Sequence, residues 1–262
     1  MKLRGKIFID GKIEALTGLN IGGSMTDIVI GGIDNSVIKT PEGVPYIPGS
    51  SLKGKMRALS ELREGIKENP QKNKKKDTDL CDCGKCDICA IFGVMANHRK
   101  DNLGPTRLIV RDAHLNEEIK EQMKNKEGIF SELEFIYTES KWENVIDRKT
   151  SQAKHPRQTE RVPAGAKFDF NMVFNIFENQ DIERFYLLLT AMAMLEDDYI
   201  GGSGTRGYGS IKFIDFDVKV KSIEDYKTNN IPLTLGEKVV DLSTLMKDED
   251  IKVKLSQHLG VE

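Results

Sequence analysis

Gly201-Gly202-Ser203-Gly204-Thr205-Arg206-Gly207-Tyr208-Gly209 sets five glycines around one cation and one aromatic ring. Ahead of it, residues 181–195 carry apolar side chains at helical spacing. Behind it, Ile211-Lys212-Phe213 opens a strand pattern that runs to residue 220. Helix, then glycine loop, then strand is the reverse of the strand–loop–helix order of dinucleotide and P-loop phosphate sites. That order speaks against a nucleotide-binding α/β fold and against a small-molecule enzyme with a nucleotide phosphate in the loop. Glycine admits positive φ and lets a backbone approach a ligand closely. Taken alone, the loop reads either as a linker or turn, or as a cradle for a phosphate backbone with Arg206 giving charge and Tyr208 a flat face.

Outward from the loop, residues 2–19 alternate apolar and polar, as one strand or as two joined at Gly11. An apolar run at 27–33 leads to Asp34-Asn35, and Val37-Ile38 and Tyr46-Ile47 flank a turn at 41–45. Residues 52–66 predict a helix with Ser50 or Ser51 as N-cap. Further strands are expected at 106–111, 133–138 and 167–177, a helix or loop at 116–126, and a short helix around Leu242, Leu245 and Met246. Strands and helices mix without a βαβ repeat, so the expected class is α+β with an antiparallel sheet. The long polar stretch 139–165 exceeds an ordinary loop, and such segments usually carry function.

The 262 residues suit one core with insertions. Lys and Arg number 39 and Asp and Glu 41, a net charge of -2, so nucleic acid would be met by a local basic stripe and not by a basic coat. Lys53, Lys55, Arg57 and Arg63 form such a stripe, with Lys72, Lys74, Lys75 and Lys76 after it. Lys53, Lys55 and Arg57 fall in the first two helical turns, where cations oppose the macrodipole. They read as a solvated face, or as partners of an anion bound at the helix start. The apolar run 185–195 is too short to span a bilayer, and no signal peptide precedes the first strand, so a cytoplasmic protein with reduced thiols and no membrane partner is expected.

All four cysteines lie in Cys81-Asp82-Cys83-Gly84-Lys85-Cys86-Asp87-Ile88-Cys89. Four soft ligands at this density in a reducing compartment point to a metal, and zinc suits thiolates best. Gly84 gives the freedom to bring Cys83 and Cys86 onto one ion. The one-residue gap between Cys81 and Cys83 strains the set, and His98 is an alternative fourth ligand. Either set closes the coordination sphere, so the metal is expected to staple an insertion at 64–104 and not to catalyse.

Three segments in order carry a resemblance. They are Leu19-Asn20-Ile21-Gly22-Gly23-Ser24 leading to Ile33-Asp34-Asn35-Ser36-Val37-Ile38, then Ile47-Pro48-Gly49-Ser50-Ser51-Leu52-Lys53-Gly54-Lys55-Met56-Arg57, and the glycine loop. With Arg107-Leu108-Ile109-Val110-Arg111-Asp112-Ala113, Ile146-Asp147-Arg148 and Pro156-Arg157-Gln158, the chain resembles the RAMP superfamily of CRISPR proteins. Within it, the likeness is to the third Csm subunits, the backbone of type III-A effector complexes. The resemblance implies a single RRM-like (ferredoxin-like) domain over 1–262. It also implies a thumb-like hairpin within 133–177 that reaches a neighbouring copy and wedges between guide–target base pairs. The implied partners are a CRISPR guide RNA, the target RNA, copies of the chain in a filament, and other Csm subunits.

The implied activity is an endoribonuclease that cuts target RNA at regular intervals with Mg²⁺ or Mn²⁺. Asp34 is then the catalytic carboxylate, holding the metal or positioning the 2′-hydroxyl. Lys53, Lys55, Arg57 and Arg206 would meet guide phosphates without reading sequence. Gly22, Gly23 and Gly202 would admit the RNA backbone, and Ser51 and Arg157 complete the RNA-binding set. His155 lies in the same thumb, and Trp142 there is a wedge or a local anchor. Two other readings share the superfamily: a scaffold that binds RNA without cutting, with Asp34 a turn residue, and a stand-alone guide-processing ribonuclease.

Overall fold

A computed structural model describes residues 1–23, 35–65, 81, 83–94, 103–236 and 239–260. The expected run 27–33, Asp34, the lysine-rich segment 66–80 and His98 lie outside the described residues. In chain order the first elements are β1 (Gly5–Ala15), β2 (Tyr46–Ile47), α1 (Gly49–Glu64), α2 (Asp87–Phe92), β3 (Leu108–Val110), β4 (Ala113–Leu115) and α3 (Glu117–Lys124). There follow β5 (Glu139–Ile146), β6 (Ala153–Arg161), β7 (Lys167–Ile176), α4 (Gln180–Glu196) and β8 (Ile211–Ser222). The chain closes with α5 (Ile223–Thr228), β9 (Leu233–Thr234), β10 (Val239–Asp241), α6 (Leu242–Lys247) and α7 (Glu249–Leu259).

The alternation in β1 buries Ile7, Ile9, Ile13 and Ala15 on one face, which forces that strand into the middle of a sheet. It pairs antiparallel with β7 on one side and β8 on the other. The main sheet runs β10-β8-β1-β7-β4-β2, with β3 also on β7 and β9 also on β8. Residues 5–15 are therefore one strand, not two joined at Gly11. The pairing with β8 slips by a bulge between Asp10 and Lys12. Gly11 is needed there because a Cβ would meet the Phe170 ring at 2.8 Å.

Helix α4 turns Ile182, Phe185, Leu188, Leu189, Met192 and Leu195 inward and packs on α1, which buries Leu52, Met56 and Leu59. Edge-on aromatic pairs, Phe174–Phe185 at 5.9 Å and Phe170–Phe213 at 5.4 Å, knit the core. The class is α+β with an antiparallel sheet, as expected. No described helix is long and apolar enough to cross a membrane.

Three expectations are corrected. Neither Ser50 nor Ser51 caps α1; the extended Pro48 starts it, and the Gly49 N–H donates to Asp112 Oδ1 at 2.8 Å. The strand expected at 106–111 is shorter, β3 at Leu108–Val110, and a further strand, β4 at Ala113–Leu115, follows once Asp112 has turned out of the ladder to reach that amide. Residues 133–138 form turns after a short 3₁₀ segment, Gly128–Phe130, and no strand. Phe130 and Leu133 plug the core there, while Phe135 and Ile136 stay exposed. The polar stretch that follows forms a separate two-stranded hairpin, with Glu139 opposite Arg161 and Ile146 opposite Ala153. Its tip is closed by Asp147 Oδ1, which accepts from the Lys149 and Thr150 amides at 2.8 and 3.0 Å.

Candidate nucleic-acid interface and metal-binding knuckle

The glycine loop is pinned, so it is not a linker. The Gly202 N–H donates to Asn20 O at 2.7 Å, Gly209 N–H to Gly18 O at 3.0 Å, and Ile200 N–H to Gly209 O at 2.9 Å. Asn20 in turn donates from Nδ2 to the Glu160 carbonyl in β6. A Cβ at Gly201, where φ is +84°, would lie 2.2 Å from Asn20 O. At Gly204 it would lie 1.9 Å from the Tyr199 ring. The loop thus closes a seam whose other walls are residues 18–23 and the base of the β5–β6 hairpin. A Cβ at Gly22 would meet no atom of the described residues within 4 Å, and Gly22 bridges Val37. Gly23 is tighter, with a Cβ meeting Val37 O at 3.2 Å.

Arg206 is exposed on the loop, donates to Ser203 Oγ at 2.7 Å, and stands 3.6 Å from Glu143 Oε2. Arg157, across the hairpin, reaches the same oxygen at 3.4 Å. Tyr208 does not offer a flat face to a ligand; it is 1% exposed. Lys141 Nζ lies 4.8 Å and the Arg161 guanidinium 5.3 Å from its ring centroid. Burial raises the Tyr208 phenol, and the Glu143 carboxylate beside it adds to the rise.

The helix α1 cations divide. Lys55 joins the seam, 3.1 Å from Asp198 and 3.9 Å over the Tyr199 ring that supports Gly204. Lys53 donates to Leu108 O at 2.8 Å, and burial lowers its amine. Arg57 binds Glu61 at 2.8 Å and the carbonyls of Gly93 and Cys81. Ser51 is half-buried in the first turn. The anion at the α1 N-terminus is internal: the Asp112 carboxylate that accepts from Gly49.

Sequence reasoning missed Glu160. Its carboxylate is 3% exposed and accepts from Val37 N–H at 3.0 Å, Thr138 Oγ1 at 2.6 Å and the Lys39 ammonium. Asn35 N–H donates to Gln158 O, and Glu160 N–H to Asn35 O. The segment 35–39 is thereby fastened to the hairpin base.

The four cysteine sulfurs lie within 4.8 Å of one another. The Cys81–Cys86 and Cys83–Cys89 separations are 3.6 and 3.8 Å. A tetrahedron with metal–sulfur bonds of about 2.3 Å has edges of about 3.8 Å, so the spacing fits a four-thiolate ion despite the one-residue gap. Gly84, at φ +68°, makes the turn. Cys86 caps α2, and a hydrogen bond from the Cys89 thiol brings Cys86 down to about 5 while raising Cys89. A thiolate is thus at hand for a metal. Arg57 and Glu61 from α1, and Arg184 from α4 through Asp87 at 2.8 Å, clamp the knuckle to the core.

The sequence profile of the RAMP superfamily matches residues 12–212. The chain belongs to the RAMP superfamily. Among RAMP proteins it groups with the Csm3 family. It is 42% identical over 253 residues to the "CRISPR system Cms endoribonuclease Csm3" of Methanocaldococcus jannaschii, covering 95% of each chain. It is 38% identical over 258 residues to the protein of that name in Methanothermobacter thermautotrophicus, covering 93% of this chain and 99% of that one. Its fold is similar to a chain in the crystal structure of a Csm3-Csm4 subcomplex in the type III-A CRISPR-Cas interference complex. The TM-score is 0.60 at 31% identity, covering 95% of this chain and 97% of the other.

Proposed function

We propose that this chain is the guide-RNA-binding backbone subunit of a cytoplasmic type III-A CRISPR (Csm) effector complex and cuts complementary target RNA at regular intervals. The observation that carries the reading on the structure is the seam. Backbone amides and glycines from residues 18–23 and 201–209, together with Lys55, Arg157 and Arg206, converge between the sheet and a protruding hairpin. Cations and close-approach backbone without base-reading donors are what sequence-indifferent RNA binding requires.

Within it, Gly22, Gly23 and Gly202 admit the RNA backbone, and Lys55, Arg157 and Arg206 meet phosphates. Lys53 and Arg57, engaged with internal carbonyls, hold α1 in place, with Ser51 in the same first turns. The β5–β6 hairpin is the thumb of an RRM-like domain. Its Trp142 is 63% exposed, with Val145 and Ile146 also outward, which suits a wedge and not a local anchor. The cysteine knuckle takes zinc, whose four sites the protein fills, leaving none for a reacting water.

Asp34 is the catalytic carboxylate of this reading. A bound Mg²⁺ or Mn²⁺ supplies charge neutralisation at the scissile phosphate. The Asn35 amide, tied to Gln158, anchors the residue that follows Asp34 to the hairpin base. Copies of the chain, other Csm subunits, guide RNA and target RNA are its partners.

The test is Asp34→Ala in reconstituted complex, assayed on labelled complementary RNA. Loss of the periodic cuts with assembly and RNA binding intact is expected. Unchanged cutting overturns the catalytic assignment and leaves a scaffold. Cutting of repeat RNA by the isolated chain would point instead to a guide-processing enzyme.

A further inference from the structure

The seam contains an arrangement that RNA binding in general does not require. Two guanidinium groups from different elements, Arg157 on β6 and Arg206 on the glycine loop, aim at one oxygen, Oε2 of Glu143. At 3.4 and 3.6 Å both separations are longer than the roughly 2.7–2.9 Å of good charge-assisted hydrogen bonds. Both arginines are about half exposed, 46% and 56%, whereas the Glu143 side chain is 15% exposed. So the cations can be reached from solvent while the carboxylate sits beneath them.

Beside them the Tyr208 hydroxyl is buried and has no hydrogen-bond partner among the described residues. The Glu143 carboxylate lies near enough to raise the phenol but out of good hydrogen-bonding geometry, so the hydroxyl is left for a better-placed acceptor. Lys141 and Arg161, packed on the same ring, add positive field.

We propose that the Glu143 carboxylate holds the place of a single RNA phosphate. On binding, a phosphodiester from single-stranded RNA takes the Arg157–Arg206 pair, and Glu143 turns away. A phosphate offers several acceptor oxygens to two guanidinium forks, where one carboxylate oxygen now serves both poorly. The exchange has a mechanical route. The β5–β6 register slips between Glu143 and Val145, directly after this residue, and a bulge gives a strand local freedom to re-aim a side chain. The affinity of the chain for RNA is then set by an exchange, and it rises when the carboxylate is neutralised. This rests on the RNA-binding reading above and adds to it one subsite and its internal competitor.

The experiment measures binding of an end-labelled uridine homopolymer to the full chain by fluorescence anisotropy across a salt series. It compares wild type, Glu143→Gln, Glu143→Gln with Arg206→Gln, and Glu117→Gln. Glu117 is an exposed acid on α3 paired with Lys120, and it controls for net charge. Glu143→Gln should bind roughly threefold tighter or more, since two weak ion pairs no longer need breaking. Its plot of log affinity against log salt should steepen by up to about 0.7, because the displaced Glu143 carboxylate of wild type takes back a cation that the phosphate released and Gln does not. Adding Arg206→Gln should remove the effect, and Glu117→Gln should show none. Equal affinity and slope in wild type and Glu143→Gln, or an equal tightening in Glu117→Gln, overturns the placeholder while leaving RNA binding intact. No binding by wild type or any variant overturns both readings.

Discussion

Asp181, at the start of α4, is fully buried and serves four donors. Oδ1 accepts from Arg107 Nε at 3.0 Å and Arg184 Nη1 at 2.8 Å; Oδ2 accepts from the Phe177 and Glu178 amides at 2.8 and 3.2 Å. Arg107 is itself 1% exposed, and without Asp181 its remaining charged partner among the described residues is the half-exposed Glu178, beside the carbonyls of Leu103 and Pro105, the Met1 sulfur and the Phe177 ring. Asp181→Ala therefore strands a buried guanidinium whose main counter-charge has gone. Breaking a buried pair from one side costs about 3–5 kcal/mol. At about 2–4 °C per kcal/mol for a chain of this size, the melting temperature should fall by roughly 6–20 °C.

Circular dichroism of metal-loaded full chain measures this, with Glu224→Ala as the comparison. Glu224 pairs with Lys227 in the open, at 70% and 64% exposure, and the effect of removing it should disappear in the scatter. If Asp181→Ala melts with Glu224→Ala, water reaches Arg107 and the network does not clamp α4 to β3.

Gly204→Ala should weaken RNA binding and stability more than Gly207→Ala. The first drives a methyl into the Tyr199 ring, while the second meets no atom of the described residues within 4 Å and costs only the left-handed φ of +88°, about 1–2 kcal/mol. Elemental analysis should find about one zinc per chain, four thiolates being enough to close its shell. Cys89→Ser or a strong chelator should empty the site and lower the melting temperature; full stability in chelator would refute the staple. Hydrogen bonds from the Ser222 hydroxyl and amide, with His258 helping, hold the Asp225 carboxyl well below its ordinary 3.8. A depressed carboxylate stabilises above the unfolded value and loses that contribution as pH falls through the folded one. The stability gap between wild type and Asp225→Asn should thus be constant near neutrality and shrink below 3.8; a gap that widens in acid would contradict the capping role.

Much of the fold is local in origin and could be read. The period of two in residues 5–15, 167–176 and 211–222, and the helical spacing in 181–195, survive any context because each buries at least one full face. Helix α7 was missed, although Ile251, Leu255 and Leu259 stand four residues apart, because the residues between them are mostly polar. What failed was non-local. Asp112 breaks a strand to reach the first amide of a helix that starts 63 residues earlier in sequence, and no pattern around it says so. Apolar Phe135 and Ile136 mimic a strand while lying exposed in turns. At the site, the glycine loop and its arginine announced themselves. Tyr208 did not, since its burial depends on Lys141 and Arg161 arriving from the hairpin. Glu143 and Glu160 are ordinary acids in polar strands until the chain folds around them.

The central place of β1 has a consequence for synthesis. Both its neighbours come late, β7 at Lys167–Ile176 and β8 at Ile211–Ser222, so the first strand made waits for most of the chain before it is paired on both edges. On the ribosome, residues 5–15 present an unpaired apolar edge, the kind that associates with other strands. The α1–α2 knuckle and the β5–β6 hairpin need only nearby partners and can form in the meantime. A nascent chain halted after β7 has one side of β1 satisfied, and one halted before it has neither. Chaperone capture of stalled chains should fall in two steps, as β7 and then β8 emerge.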